Sequence, residues 1–151
     1  TELQAKCRVE ICEQLLDNPH SDQFWKRIVT SDEKWIHLIN HSRQKRWVPY
    51  DQAPPPVPCQ ERFGKKVMLC VWWNFQAIIH YEFVPNGRAI DAELYCEQVE
   101  RVYEKLKEKY PALIRRKCAL LQQDNAKPHT AKKTKKKFEE LDGVEILPHP
   151  P

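Results

Sequence analysis

Ile28-Val29-Thr30-Ser31-Asp32-Glu33-Lys34-Trp35-Ile36 begins and ends like a buried β-strand but is polar through its centre, and the fold turns on how it is read. The β-branched and aromatic residues at its two ends favour extended backbone over helix. Read as a strand over 28–39, it leads through His41-Ser42-Arg43, a turn-like sequence, to a second strand over 45–50. Val67-Met68-Leu69-Cys70-Val71-Trp72-Trp73 is a continuous apolar run, as expected of a strand buried on both faces. Its hairpin partner is 78–84, and Pro85-Asn86-Gly87 supplies the next turn. The intervening 51–64 contains Pro54-Pro55-Pro56, which favours polyproline backbone and excludes a central strand. Lacking the alternation needed to pack, this segment should project from the sheet.

Helices are expected on both sides of these strands. Upstream, 1–16 has an apolar stripe of Val9, Cys12 and Leu16 beside Ile11 and Leu15, and Asn18-Pro19 stops it. Downstream, 91–110 places Tyr95, Val99, Val102, Tyr103, Leu106 and Tyr110 on one face, and Pro111 ends it. A short apolar strand over 118–122 follows, then the loop Asp124-Asn125-Ala126-Lys127-Pro128-His129. The last pair is a helix over 130–141, with Ala131, Thr134, Phe138 and Leu141 inward and its lysines outward, and a strand over 144–147. Asp142-Gly143 caps the helix. An antiparallel three-strand meander followed by alternating helices and strands is the ribonuclease H-like α/β arrangement, a mixed sheet flanked by helices. The chain reads as one domain over 1–151, with a leading helix at 1–17 and a Pro-rich projecting loop at 51–64.

Composition narrows the function. The 151 residues are 41% hydrophobic and 30% charged, enough apolar content for a core. The longest apolar run is far too short to span a bilayer. Three glycines and twelve prolines leave no Gly-rich phosphate loop. The six cysteines form no C-x-x-C pair, which favours reduced thiols and argues against a zinc site. Net charge is only +4, but Lys127, Lys132, Lys133, Lys135, Lys136 and Lys137 cluster with no acid among them. Such a face is either a solvated surface or a phosphate contact.

Two positions break local rules. Polar residues in the middle of an apolar strand mark either a functional site or a solvated edge strand. Asp124, directly after Ala119-Leu120-Leu121, is either ordinary turn chemistry or a second functional carboxylate. In a ribonuclease H-like sheet the first and fourth strands are neighbours, which brings Asp32 and Asp124 together. Two close carboxylates repel unless a cation lies between them, and a hard divalent ion such as Mg²⁺ takes few carboxylates plus water and phosphate oxygens. Two such ions suit in-line phosphoryl displacement. Glu33 is rejected as a further ligand, because adjacent strand residues point to opposite faces. His129 either contacts a phosphate or metal-bound water, or helps start the following helix. Trp35, Trp72 and Trp73 are expected mostly in the core.

These segments carry a family resemblance. The 28–36 stretch resembles the "IVTGDEKWI" block of mariner-family DNA transposases, and Lys65–Trp73 resembles their third strand. Asp124–Ala131 is similar to their "HDNARPHTA" block, and Leu147–Pro151 to the start of their "LPHPPYSPDLAPSD" block. Arg8–Leu16 resembles the helix after their interdomain linker. Ser31 stands for the family's usual glycine and Gln123 for its histidine. The resemblance implies a cut-and-paste transposase catalytic domain working with Mg²⁺ or Mn²⁺. Asp32 and Asp124 would be the first two members of an acidic triad, as catalytic residues and metal ligands. It also implies a third acid beyond Pro151 and repeat-reading modules before Thr1. Expected partners are transposon ends and target DNA, held through Lys127, His129, Lys132, Lys133, Lys136 and Lys137. A homodimer on DNA, to which the 51–64 projection contributes, and a nuclear location complete the expectation. The alternatives are a domesticated or decayed relative that binds DNA or protein without catalysis, and a ribonuclease H-like nuclease acting on another nucleic acid.

Overall fold

Five strands are present, β1 (Ile28–His37), β2 (Lys66–Trp73), β3 (Ile78–Val84), β4 (Ala119–Gln122) and β5 (Val144–Ile146). They form one sheet in the order β3-β2-β1-β4-β5. The computed structural model describes residues 1–17, 22–38, 47–53, 55, 64–85, 87–116 and 119–150. The first three strands pair antiparallel, while β1 with β4 and β4 with β5 run parallel. The helices are α1 (Glu2–Asp17), α2 (Asp22–Trp25), α3 (Ala92–Lys109), α4 (Pro111–Arg115), α5 (Lys127–Thr130) and α6 (Lys132–Glu140). This is the mixed α/β sheet expected from the element order.

The main core lies on one face of the sheet. Val29, Cys70, Trp72, Ala119 and Leu121 meet Leu94, Tyr95, Val99, Val102 and Leu106 of α3 and Phe138 of α6, all buried. Register explains which side chains share that face. Glu33 pairs with Cys70 and Ser31 with Trp72, whereas Asp32 pairs with Val71 and belongs to the opposite face. On that opposite face Tyr81 and Phe83 are more than half exposed. The start of α3 is fixed by Asp91, whose carboxylate accepts from the backbone N–H of Glu93 and Leu94 at 3.1 and 2.8 Å. Pro111 then occupies the first turn of α4, where its missing N–H is harmless.

Four expectations are revised. Residues 47–50 are not a strand, and β1 takes β2 as its antiparallel neighbour. Pro49 cannot donate to a ladder, and Trp47 and Tyr50 are fully exposed with nothing to pack on. The helix expected over 130–141 is α6, starting at Lys132, and the stretch expected as a loop contains the short α5, with Ala131 extended (φ −60°, ψ 147°) between them. In α1 the half-buried residues are Cys7, Ile11 and Leu15, while Val9, Cys12 and Leu16 face out. Trp35 is 45% exposed, with the Lys66 ammonium 4.4 Å from its ring centroid, so only Trp72 of the three tryptophans is fully buried. Residues 51–53 and 55 are exposed and outside any strand. The rest of the Pro-rich loop short of Gly64, the 45–46 end of the expected second strand and the turn at 41–43 lie outside the described residues.

Candidate active site

The parallel β1–β4 ladder ends at Thr30↔Gln122. Two residues further along from these two ladder positions stand Asp32 and Asp124. Both are exposed. Asp32 remains within β1 and pairs with Val71 on its other side. Its Oδ1 accepts the N–H of Glu33 at 2.8 Å. Asp124 lies just past the end of β4, where its Oδ1 accepts the N–H of Ala126 at 3.0 Å and so turns the chain towards α5. The same oxygen meets His129 Nδ1 at 2.7 Å. Turn chemistry and a functional carboxylate are thus compatible at Asp124. Among the described residues, all side-chain bonds to this carboxylate fall on Oδ1.

Neighbouring side chains fasten the loop. Asn125 Nδ2 donates to the carbonyls of His149 and Pro150 at 3.1 and 3.2 Å, which ties the 147–150 stretch beside Asp124. Leu147 N–H donates to the Leu121 carbonyl at 2.8 Å. Beneath the loop, the Tyr95 hydroxyl donates to Gln123 Oε1, and the Tyr95 ring lies 4.2 Å, centroid to centroid, from His129.

His129 is 4% exposed, with its ring nitrogens turned to protein carboxylates. Its Nε2 is 3.5 Å from Glu33 Oε1, on the α3 side of the sheet, so its two ring nitrogens face two carboxylates. Burial pulls the imidazole pKa down, but Glu33 and then Asp124 outweigh it, and the pKa ends above the ordinary histidine value. Burial also raises the Tyr95 pKa, with the charges of Glu33 and Asp124 adding to it. Glu33 therefore belongs to this buried cluster and not to the exposed side of Asp32, in keeping with strand alternation.

Two oxygen donors on solvent-facing side chains fit Mg²⁺ or Mn²⁺, which keep several waters and accept phosphate oxygens. Among the described residues no group of three or more His, Cys, Asp and Glu is placed to hold a metal. Asp32 and Asp124 are thus the candidate ligands among the described residues, two exposed carboxylates just past the last β1–β4 ladder pair.

The lysine face divides into two sets. Lys133 pairs with Glu93 of α3 at 2.5 Å, and Lys137 with Glu100 at 3.2 Å and Glu140 at 4.0 Å. The Glu93 bond raises the Lys133 pKa. Lys127, Lys132, Lys135 and Lys136 are exposed and in no ion pair among the described residues. Sequence reasoning missed three participants, Tyr95, Gln123 and the inward role of Glu33. The available signal was a tyrosine on the inward face of α3 at the level of the loop.

Comparison with known proteins agrees with this geometry. The chain is 40% identical over 151 residues to the human histone-lysine N-methyltransferase SETMAR, covering all of this chain and 22% of that protein. It is 36% identical over 149 residues to the mariner Mos1 transposase of Drosophila mauritiana, covering 98% of this chain and 43% of the relative. The chain thus spans less than half the length of either relative. Its structure superposes on the Mos1 mariner paired-end complex with Mn at a TM-score of 0.87 and 37% identity, covering 99% of this chain and 44% of that one. The family model described as Transposase (partial DDE domain) matches residues 37–116, more than half of the chain. On that match, which covers more than half of its residues, the chain belongs to the transposase family with the DDE domain.

Proposed function

We propose that this chain carries the catalytic platform of a metal-dependent DNA transposase, an endonuclease and strand transferase of the mariner type. The observation that carries the reading is that Asp32 and Asp124 each stand two residues past Thr30↔Gln122, the last β1–β4 ladder pair, on a sheet shared with a Mos1 complex containing Mn. Asp32 and Asp124 hold Mg²⁺ or Mn²⁺, which when bound neutralises developing charge on the phosphate and lowers the pKa of water. The residues of this chain supply position. Asp124 is held by Ala126 and His129, and Asp32 by the rigid β1–β2 ladder. The lysines that carry no ion pair draw in the phosphate backbone irrespective of its sequence. The substrates are transposon ends and target DNA, the working form is a homodimer on paired ends, and the location is nuclear. The exposed Trp47–Tyr50 approach to the Pro-rich segment suits it to a contact with the second copy.

A second reading is favoured by one finding, the 40% identity to part of a protein named as a histone-lysine N-methyltransferase. On that reading the chain binds DNA or protein without cutting.

The test is Mn²⁺ titration of the purified chain by electron paramagnetic resonance. Weak binding that Asp32→Ala and Asp124→Ala each abolish supports the platform. Binding unchanged in both variants refutes it.

A further inference from the structure

Asp124 is in an exposed position for a residue with a demanding task. It lies beyond β4, outside the ladder, and its side chain is 61% exposed. An exposed carboxylate ordinarily samples several rotamers, and each rotamer lost on loading a cation weakens binding. Two contacts oppose that freedom. The bond from Ala126 N–H is a local turn that any Asp or Asn can make. The bond from His129 is not local in its support, because the imidazole is 4% exposed and wedged into the core. One face of the ring lies on Tyr95, itself fully buried and bonded to Gln123. Its far nitrogen looks towards Glu33 of β1. A carboxylate can only accept, so Nδ1 is the donor at 2.7 Å to Asp124 Oδ1.

We infer that His129 is the positioning residue of Asp124: the buried ring transmits the rigidity of α3 and β1 to a carboxylate that the sheet does not hold. The inference rests on the reading of Asp124 as a metal ligand. The imidazole occupies Oδ1, so the orientation of the second oxygen is set from the core and not by solvent. Partners that orient a ligating carboxylate in this way typically matter by about 10- to 100-fold in metal affinity. The role needs a donor at the Nδ1 position and a rigid seat, and an asparagine amide supplies the first at nearly the same place.

The experiment compares wild type with His129→Phe, His129→Asn, His129→Gln and Asp124→Ala, each shown to be folded by circular dichroism. Phe keeps the stack on Tyr95 and removes the donor. Gln reaches towards Glu33 and also removes the side-chain donor to Asp124, so it replaces Phe if that variant fails to fold. Amide hydrogen exchange at Ala126, measured without metal, reports whether the Asp124 carboxylate keeps its place. Mn²⁺ affinity reports the consequence. The expected result is faster Ala126 exchange and about 10- to 100-fold weaker Mn²⁺ binding in His129→Phe, with His129→Asn returning both to within about threefold of wild type. Unchanged Ala126 exchange in His129→Phe overturns the inference. So does unchanged Mn²⁺ affinity in that variant while Asp124→Ala abolishes binding. If exchange rises in His129→Phe but Asp124→Ala leaves Mn²⁺ binding intact, the positioning role stands and the metal reading of Asp124 falls.

Discussion

Replacing Gly143 with alanine tests how the last strand is held. Gly143 joins α6 to β5 with φ +83°, a left-handed conformation costing an alanine about 1–2 kcal/mol. Space is the larger obstacle. A Cβ at this position would lie 2.4 Å from the backbone carbonyl oxygen of Ile114. Backbone on both sides is pinned, because the Tyr103 hydroxyl donates to the Asp142 carbonyl at 2.9 Å and Ala119 N–H donates to the Gly143 carbonyl at 3.2 Å. Relief therefore requires moving α4 or opening the β4–β5 pair, an overpacking term of about 1–3 kcal/mol. Gly87 is the matched control, with φ +80° and nothing within 4 Å of its Cβ position. Gly87→Ala meets the conformational term alone. The unfolded-state gain from losing a glycine is common to both variants and cancels in the difference. Gly143→Ala should thus be less stable than Gly87→Ala by about 1–3 kcal/mol, a Tm gap of roughly 3–10 °C for a chain of this size. Thermal and urea unfolding followed by circular dichroism measures it. Equal destabilisation by the two variants would show that the contact with Ile114 does not constrain the fold.

Two further outcomes follow from side-chain environment. Changing Lys132, Lys135 and Lys136 together to Gln should weaken duplex DNA binding and reduce its salt slope by about 2–3, as expected for three phosphate contacts. Changing Lys133 and Lys137, which α3 and α6 acids already occupy, should have the smaller effect, and the reverse order in filter-binding titrations would discard this division of the lysine face. Burial pushes the Cys70 thiol up to about 11, a bond from Gln98 opposes this, and Glu33 and Glu82 add to the rise. At pH 8 its thiolate fraction is about 0.1%, so iodoacetamide should label exposed Cys12 at least about 100-fold faster than Cys70 in mass-spectrometric time courses, and rates within tenfold would contradict the buried assignment.

The sheet was readable where one residue type had one use. The run Val67–Trp73 and the inward tyrosines and valines of α3 have no solvated alternative, so their elements and much of their core placement follow from pattern. The 45–50 segment misleads because Trp47, Val48 and Tyr50 imitate strand composition, and only the lack of a surface to cover shows otherwise. The short α5 was hidden because Asp124–His129 reads as a loop; Thr134 Oγ1 of α6 donates to the Pro128 carbonyl of α5 at 2.6 Å across the extended Ala131. At the site, Asp32 and Asp124 stood out as polar residues against apolar strands. The fate of His129 did not, because Tyr95 and Glu33 reach it from α3 and β1. The neutralisation of Lys133 and Lys137 was equally hidden, since their partners lie 40 and 37 residues away.

The parallel pairing of β1 with β4 also sets an order of events during folding. The β1–β2–β3 meander closes within residues 28–84, but about 90 residues separate Thr30 from its partner Gln122. Parallel contacts at such separation are slow to form, because loop-closure entropy is lost before any contact compensates for it. Asp32 sits on the early-closing side of that junction and Asp124 on the late one. A chain stalled with only the meander formed has a folded Asp32 and no opposing carboxylate. On the proposed reading of Asp32 and Asp124 as metal ligands, competence to hold a divalent ion arises at the docking of β4, and the kinetics of metal capture in a refolding chain trace that step rather than initial collapse.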